Sequence, residues 1–260
     1  MADSRPIAII TGATSGIGAA YGDKLASQGY DLVLTGRRMD VLSQRAHDLE
    51  LKHHVNIYTE YLELGDEASL DDFINKYKDN PRISFLVNNA GYGNRKRFLD
   101  DNIDRQLEMV DVHNKSVAKI VHAFYPTLNK QESASLVNVS SMMGFYALPG
   151  TSMYSATKAF LILFTKAVAL ENTNPHLRIQ VLCPGLTRTD FHINAPLADK
   201  NMKNRFIVRW MKPDQVVKIS WKALRRGQIQ CIPGFFNKLT VLLLKLVPDG
   251  LFNWIAKKIV

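Results

Sequence analysis

A doubly wound α/β fold, with about seven parallel strands covered by helices on both faces, is the architecture this sequence predicts. Three observations carry the prediction. Short apolar runs alternate with longer amphipathic segments from the start of the chain. The runs are rich in Val, Ile and Leu and poor in charge, as strands buried on both faces are. The first run ends in a glycine cluster that opens into a helix, the entry to a βαβ unit.

Pro6–Ile10 reads as the first strand. Asp31–Thr35, Val55–Tyr61, Ile83–Val87, Leu136–Val139 and Ile179–Leu182 read as the next five. Amphipathic spacing predicts helices over 16–28, 38–52, 67–79, 103–129 and 152–172. After Pro184 the pattern loosens, and 186–212 reads as a loop with short helical pieces, placed to act as a lid. Pro213 opens another helix, with Asp214 in its first turn, where the helix dipole favours an anion. A last strand is expected near Gln228–Ile232, closed by Pro233-Gly234. With no linker, low-complexity tract or repeat, residues 1–260 are expected to form one dinucleotide-binding catalytic domain, with 235–260 as a C-terminal extension.

The composition is that of a globular chain: 260 residues, 46% hydrophobic and 22% charged. No run of apolar residues reaches the ~18 that a membrane span needs. The opening MADSRPIAIITGATSGIG runs straight into a strand and loop and carries no secretory pattern. Two cysteines, Cys183 and Cys231, suit neither a disulfide framework nor a cysteine zinc site, and no metal site is expected. Reduced thiols in a cytoplasmic protein are the simplest reading. The net charge of +9 is concentrated at one end. Residues 200–260 hold 13 Lys/Arg and 2 Asp/Glu, a net +11, which leaves −2 for the rest. No nucleic-acid motif accompanies this charge, so no nucleic-acid partner is expected.

The first strand ends in Thr11-Gly12-Ala13-Thr14-Ser15-Gly16-Ile17-Gly18. Glycine allows a tight turn and close approach of backbone to a ligand. A helix starting here aims free N–H groups and its positive end at the loop, which suits a pyrophosphate. Alone, such a glycine triplet is weak evidence; after a strand and before a helix it is stronger. The second strand ends Leu34-Thr35-Gly36-Arg37-Arg38. A fold selecting NAD needs a carboxylate there for the ribose 2′-hydroxyl. Gly36 offers none, while Arg37, and secondarily Arg38, can pair with a 2′-phosphate. The expected cofactor is therefore NADP(H).

Tyr154 and Lys158 stand at i and i+4 of one predicted helix and share a face. A neighbouring ammonium, together with the positive charge of oxidised nicotinamide, favours tyrosinate and tunes Tyr154 towards proton exchange with a carbinol or carbonyl oxygen. Ser141, at the end of the fifth strand, can hydrogen-bond the same oxygen. A serine–lysine hydrolase would use similar residues, but no G-x-S-x-G elbow is present.

The T-G-x-x-x-G-x-G loop, Asn88-Asn89-Ala90-Gly91 after the fourth strand, Ser141, Tyr154, Lys158, Pro184-Gly185 and Thr189 occur in the order found in short-chain dehydrogenases/reductases. Over about residues 5–190 the chain resembles that family. The resemblance implies a Rossmann-type sheet and an oxidoreductase acting on CH–OH or C=O groups. It assigns catalysis to Ser141, Tyr154 and Lys158, the lysine also holding the nicotinamide ribose. It assigns cofactor contacts to Gly12, Thr14, Ser15, Gly16, Ile17, Gly18, Asn89, Ala90, Gly91, Tyr154, Lys158, Pro184, Gly185, Thr187 and Thr189. Glu63-Leu64 should flank the adenine, although the family more often has Asp at position 63. A homodimer or homotetramer is expected.

One departure stands out. The family has an asparagine in the helix after the fourth strand, holding a water that relays protons from the lysine. Counting back from Pro126, that position falls on His113, with Asn114 one residue off register. Either His113 holds the relay water through a ring nitrogen, or it packs and bonds protein groups only.

The substrate wall that the resemblance implies comprises Tyr92, Met142, Met143, Phe145, Tyr146, Leu148, Leu186 and Phe191. It is apolar and soft and suits a small or medium lipophilic alcohol or ketone. Arg188 and His192 are the nearest polar candidates. The tail from Phe235 mixes Phe, Leu and Trp with lysines. It either packs on the lid, the sheet edge or a second subunit, or makes peripheral contact with a membrane. A non-catalytic NADP-binding sensor and a membrane-associated interaction protein are the alternative functions.

Overall fold

The computed structural model describes residues 5–93, 96–189 and 209–258. Seven parallel strands form one sheet: β1 (Ile7–Ile10), β2 (Asp31–Gly36), β3 (Ile57–Tyr61), β4 (Ile83–Asn88), β5 (Ala134–Val139), β6 (Leu177–Leu182) and β7 (Gln230–Cys231). Their spatial order is β3-β2-β1-β4-β5-β6-β7. The chain winds outward from β1 to β3, then returns to β4 on the other side of β1. That reversal opens a crevice at the carboxyl ends of β1 and β4, the usual ligand position in open α/β sheets.

Alternation along each strand divides the core. Ile7 and Ile9 of β1 face one layer with α3 (Glu67–Tyr77), α5 (Ser116–Asn129) and α6 (Ser152–Glu171). There they pack with Leu70, Phe73, Ile120, Phe124 and Leu161. Ala8 and Ile10 face the opposite layer with α1 (Gly16–Ala26), α2 (Met39–His53) and α7 (Pro213–Arg225), among Tyr21, Leu25, Leu42, Val216 and Leu224. A strand period of two therefore supplies both layers from one run of apolar residues.

The segment predicted as one helix over 103–129 is three pieces. α4 (Ile103–Val110) passes through a π turn at Asp111–Lys115 into α5. The π turn adds one residue to the helical register. It turns both His113 and Asn114 inward, where both are buried. Helices α8 (Phe235–Leu246) and α9 (Asp249–Lys257) close the described chain. Val241 of α8 packs with Met142, Ile162, Val181, Cys183 and Ile232, which brings this helix beside the carboxyl end of the sheet.

Most of the expected lid, including Phe191 and His192, lies outside the described residues. Its base is described. Arg188 N–H donates to Met211 O at 2.9 Å, and Met211 N–H to Leu186 O at 3.0 Å.

Candidate active site

The glycine loop leaves β1 through Gly12 (φ +66°) and enters α1 at Gly16 (φ +60°), both in the left-handed region that favours glycine. A Cβ on Gly18 would run into the Gly12 carbonyl oxygen and the Asn89 amide. Gly18 thus lets the loop fold on itself beneath the cavity rather than lining it. Ser15 precedes the helix in extended conformation and its hydroxyl makes no capping bond. The first-turn N–H groups of α1 therefore keep their capacity to bind an anion.

The Asn88–Gly91 segment is clasped to this loop. Thr11 Oγ1 accepts from the N–H groups of Asn89 (2.9 Å) and Ala90 (3.1 Å). Asn89 Nδ2 donates to the carbonyls of Thr11 and Gly12, each at 3.0 Å. Asn88 donates to Asn138 (2.8 Å), which donates to Thr165 (2.9 Å), so a buried polar chain links β4, β5 and α6. Thr165 donates onward to Leu161 O at 2.6 Å, which ties the sheet end to α6 under the site, while Asn88 Oδ1 finds no partner among the described residues.

These elements enclose a cavity of about 700 Å³. Of the catalytic and cofactor-binding residues expected from the sequence, all but Gly18 and His113 line it: Gly12 and Thr14–Ile17 from the loop, Arg37, Arg38, Glu63 and Leu64 at one end, Asn89–Gly91, Ser141, Tyr154 and Lys158 in the middle, and Pro184, Gly185, Thr187 and Thr189. The 184–189 segment closes over the loop, where a Cβ on Gly16 would meet Thr189 Cγ2 at 2.9 Å. Tyr92, Met142, Met143, Tyr146 and Leu186 supply the expected apolar wall, while Phe145 and Leu148 do not reach it. Sequence reasoning missed Arg209, Asn237 and Thr240, which line the same cavity. Asn237 Nδ2 donates to Pro233 O at 2.7 Å, which orients its amide. No motif marks these three positions; Asn237 and Thr240 come in with α8, whose Val241 packs with Met142 and Ile232, and the Arg209 guanidinium lies over Phe236 of the same helix.

At the cofactor end, Arg38 donates to Thr14 Oγ1 at 2.9 Å and Arg37 pairs with Glu63 at 3.2 Å. Both arginines therefore stand over the cavity on fixed supports. The donor set matches a pyrophosphate at a helix N-terminus and a further phosphate between two guanidinium groups.

In the catalytic set, Lys158 is buried and donates to Val139 O at 3.2 Å. Its Nζ lies 5.7 Å from the Tyr154 ring centroid. Burial pushes Tyr154 up to about 12, against the pull of its Ser141 hydrogen bond, and pushes Lys158 down to about 8. Burial therefore outweighs the mutual charge effect anticipated from their spacing, and Tyr154 keeps its proton at neutral pH.

His113 is fully buried between two tyrosine rings, with centroids 5.7 Å from Tyr92 and 6.1 Å from Tyr154. Its Nε2 accepts the Tyr92 backbone N–H at 3.1 Å. The proton must then sit on Nδ1, which donates to Thr157 Oγ1 at 3.0 Å. Thr157 donates onward to Tyr154 O at 2.9 Å. Both ring nitrogens are committed to protein partners, the arrangement of the packing reading. A Cβ on Gly91 would come within 2.7 Å of Nε2, so the ring occupies the space that this glycine leaves. Asn114 donates to Thr157 O at 3.0 Å, a second tie between the π turn and α6. Burial, then the Lys158 charge, hold the histidine pKa well below its usual 6.5.

The switch-point crevice, glycine loop and buried Tyr–Lys pair define a dinucleotide-binding α/β oxidoreductase. Residues 6–199 match the short chain dehydrogenase family. The chain belongs to the short-chain dehydrogenase/reductase family and acts on CH–OH or C=O groups. It is 34% identical over 188 residues to sulfoacetaldehyde reductase 2 of Chromohalobacter salexigens, spanning 71% of this chain and 74% of that protein. It is 29% identical to the NADP-dependent 3-hydroxy acid dehydrogenase of Schizosaccharomyces pombe, spanning 85% and 87%. The short-chain dehydrogenase from Sphingobium yanoikuyae in complex with NADPH superposes with a TM-score of 0.83 at 27% identity, covering 95% of each chain. The Burkholderia phymatum relative in complex with NAD shares the fold, with a TM-score of 0.80 at 21% identity.

Proposed function

We propose that this protein is an NADP(H)-dependent reductase of lipophilic ketones or aldehydes that also runs in the alcohol-oxidising direction. The observation that carries the reading is one cavity with Ser141, Tyr154 and Lys158 beside an apolar wall and Arg37 and Arg38 at its far end. A carboxylate at position 36 would oppose a 2′-phosphate, and a side chain there would also press on Thr14 Cγ2 at 2.9 Å. The name of the fission-yeast relative and the NADPH complex of the Sphingobium enzyme agree with this preference.

When bound, the nicotinamide supplies the hydride for reduction or accepts it for oxidation. Tyr154 Oη gives its proton to the carbonyl oxygen as that oxygen becomes a hydroxyl. Its raised pKa keeps the proton in place for the reductive direction. Ser141 hydrogen-bonds Tyr154, and with substrate bound its one hydroxyl proton can turn to the substrate oxygen instead. Lys158, anchored on Val139 O, sets positive charge beside the tyrosine and is placed to hold the ribose. His113 acts as a positioning residue, tying the Tyr92 loop to α6 under Tyr154.

The reading includes one catalytic domain over 1–260, with 186–212 as lid and 235–260 as extension. It includes a homodimer or homotetramer, supported by exposed Ile103 and Leu107 on α4 beside Phe160 and Leu163 on α6. A cytoplasmic location is supported by two free buried thiols, Cys183 and Cys231. The test is turnover of a panel of aldehydes, ketones and quinones with NADPH and with NADH. Turnover with NADPH that Tyr154→Phe abolishes supports the reading. Absence of turnover across the panel, or equal use of both cofactors, refutes it.

A further inference from the structure

The C-terminal helices carry more apolar surface than the sheet can cover. From α8, only Asn237 and Val241 are buried. Phe235 is 73% exposed and Leu246 72%, with Leu242 and Leu243 also exposed between them. On α9, Leu251, Trp254 and Ile255 are exposed as well, Trp254 at 58%. Isolated exposed leucines are ordinary, but this many large exposed side chains on two successive helices mark a contact face.

The charge on these two helices is predominantly basic. α8 holds Lys238 and Lys245 and no acid; α9 ends at Lys257, followed by Lys258, with Asp249 alone at its start. The cations lie close to aromatic rings. Lys258 Nζ is 3.8 Å from the Trp254 centroid, and the Arg209 guanidinium is 5.0 Å from that of Phe236. Apolar side chains with basic heads at their rim match the boundary between acyl chains and anionic headgroups. Two copies of the face meeting about a twofold axis would bring four lysines of each copy, Lys238, Lys245, Lys257 and Lys258, against the same four with Asp249 as the single acid on the two helices.

The face is also continuous with the cavity. Thr240 lines the cavity and shares one row of α8 with Phe236 four residues before it and Leu243 three residues after it. The exposed apolar surface therefore begins at the cavity rim.

We propose that α8 and α9 dock the protein on the surface of an anionic bilayer. Docking sets the cavity rim against the lipid, where apolar substrates concentrate. That consequence alone rests on the proposed function; the docking does not.

The experiment is flotation of the full chain with vesicles of phosphatidylcholine, alone or mixed with phosphatidylserine, without an activity readout. The protein should float with the mixed vesicles at low salt, remain behind with phosphatidylcholine alone, and be released by added salt. Each lysine neutralised should weaken binding about fivefold, so Lys257→Gln with Lys258→Gln together should weaken it roughly 25-fold. Leu246→Asp should abolish it while leaving the melting temperature unchanged. Failure of the wild type to float with serine-containing vesicles overturns the proposal. So does undiminished binding by the two-lysine variant, which keeps the proposal falsifiable should Leu246→Asp misfold. Sedimentation of the wild type as an oligomer that Leu246→Asp dissociates, without flotation, would make the face a subunit contact and also overturn it.

Discussion

Histidine 113 gives the sharpest quantitative expectation. In the folded protein its ring is neutral, because Nε2 accepts from Tyr92 N–H and has no room for a proton. Burial and the Lys158 charge hold its pKa well below 6.5. In the unfolded chain the ring titrates near 6.5. The sign follows. Above that value both states are neutral and pH does nothing through this group. As pH falls below it, the unfolded chain binds a proton that the native state refuses, and stability is lost. At pH 5.5, one unit below, the unfolded state gains RT ln 11, about 1.4 kcal/mol.

Urea unfolding of the wild type and His113→Asn at pH 7.5 and 5.5 isolates this contribution, since every other histidine is shared. The wild type should lose more than the variant across that interval, by up to about 1.4 kcal/mol. At pH 7.5 the variant should itself be less stable by about 1–3 kcal/mol, for imperfect replacement of two buried hydrogen bonds. Equal pH dependence in the two proteins would refute a neutral buried ring. A kinetic arm addresses the relay. With both nitrogens occupied, wild type and His113→Asn should show no difference in pH–rate profile near 6.5. A step there confined to the wild type would restore the relay.

Tyr154→Phe should reduce kcat by at least ~100-fold, the low end for acid–base assistance, with NADPH affinity unchanged by fluorescence titration; near-normal kcat would remove Tyr154 as the acid. Arg38→Ala, which frees the Thr14 hydroxyl, and Arg37→Ala, which frees Glu63, should each weaken NADPH by about tenfold or more and leave NADH nearly unchanged; parallel losses for both cofactors would point to a scaffold role. Gly144→Ala would set a Cβ 2.8 Å from the Lys158 carbonyl carbon and oxygen. It should lower the melting temperature and displace the Ser141 turn from α6, so that kcat falls more than NADPH affinity; wild-type kinetics would show that the turn gives way freely.

The strands were legible because burial on both faces demands unbroken apolar runs, and the glycine loop because two of its positions need positive φ. The Tyr154–Lys158 pair was legible because helical spacing alone places the two on one face. The π turn was not. α4 and α5 each keep regular periodicity, and the extra residue between them changes which side chains turn inward without disturbing either pattern. His113 and Asn114 both end inside, so a register counted from Pro126 had to choose one position where the backbone uses two. Arg209, Asn237 and Thr240 escaped notice for another reason: Asn237 and Thr240 reach the cavity only once α8 has packed on Met142 and Cys183, and Arg209 lies over Phe236 of that helix.

Spacing and burial pull the Tyr154 pKa in opposite senses. Spacing along a helix reveals which charge sits beside which, so an ammonium next to a phenol suggested an easier ionisation. It says nothing of desolvation, which acts on both groups in the same sense and disfavours each charged form. Lys158 donates to a backbone carbonyl rather than to Tyr154, and the tyrosine is held by Ser141. Burial thus prevails, and Tyr154 stands as a proton donor at neutral pH. A Ser141→Ala variant follows from the same reasoning. Removing the hydrogen bond that pulls the phenol down should raise the Tyr154 pKa further and slow alcohol oxidation more than carbonyl reduction, because only oxidation needs the tyrosine as a base. Rates in both directions across the alkaline range would show it, and an equal loss in both would mean that Ser141 acts on the substrate alone.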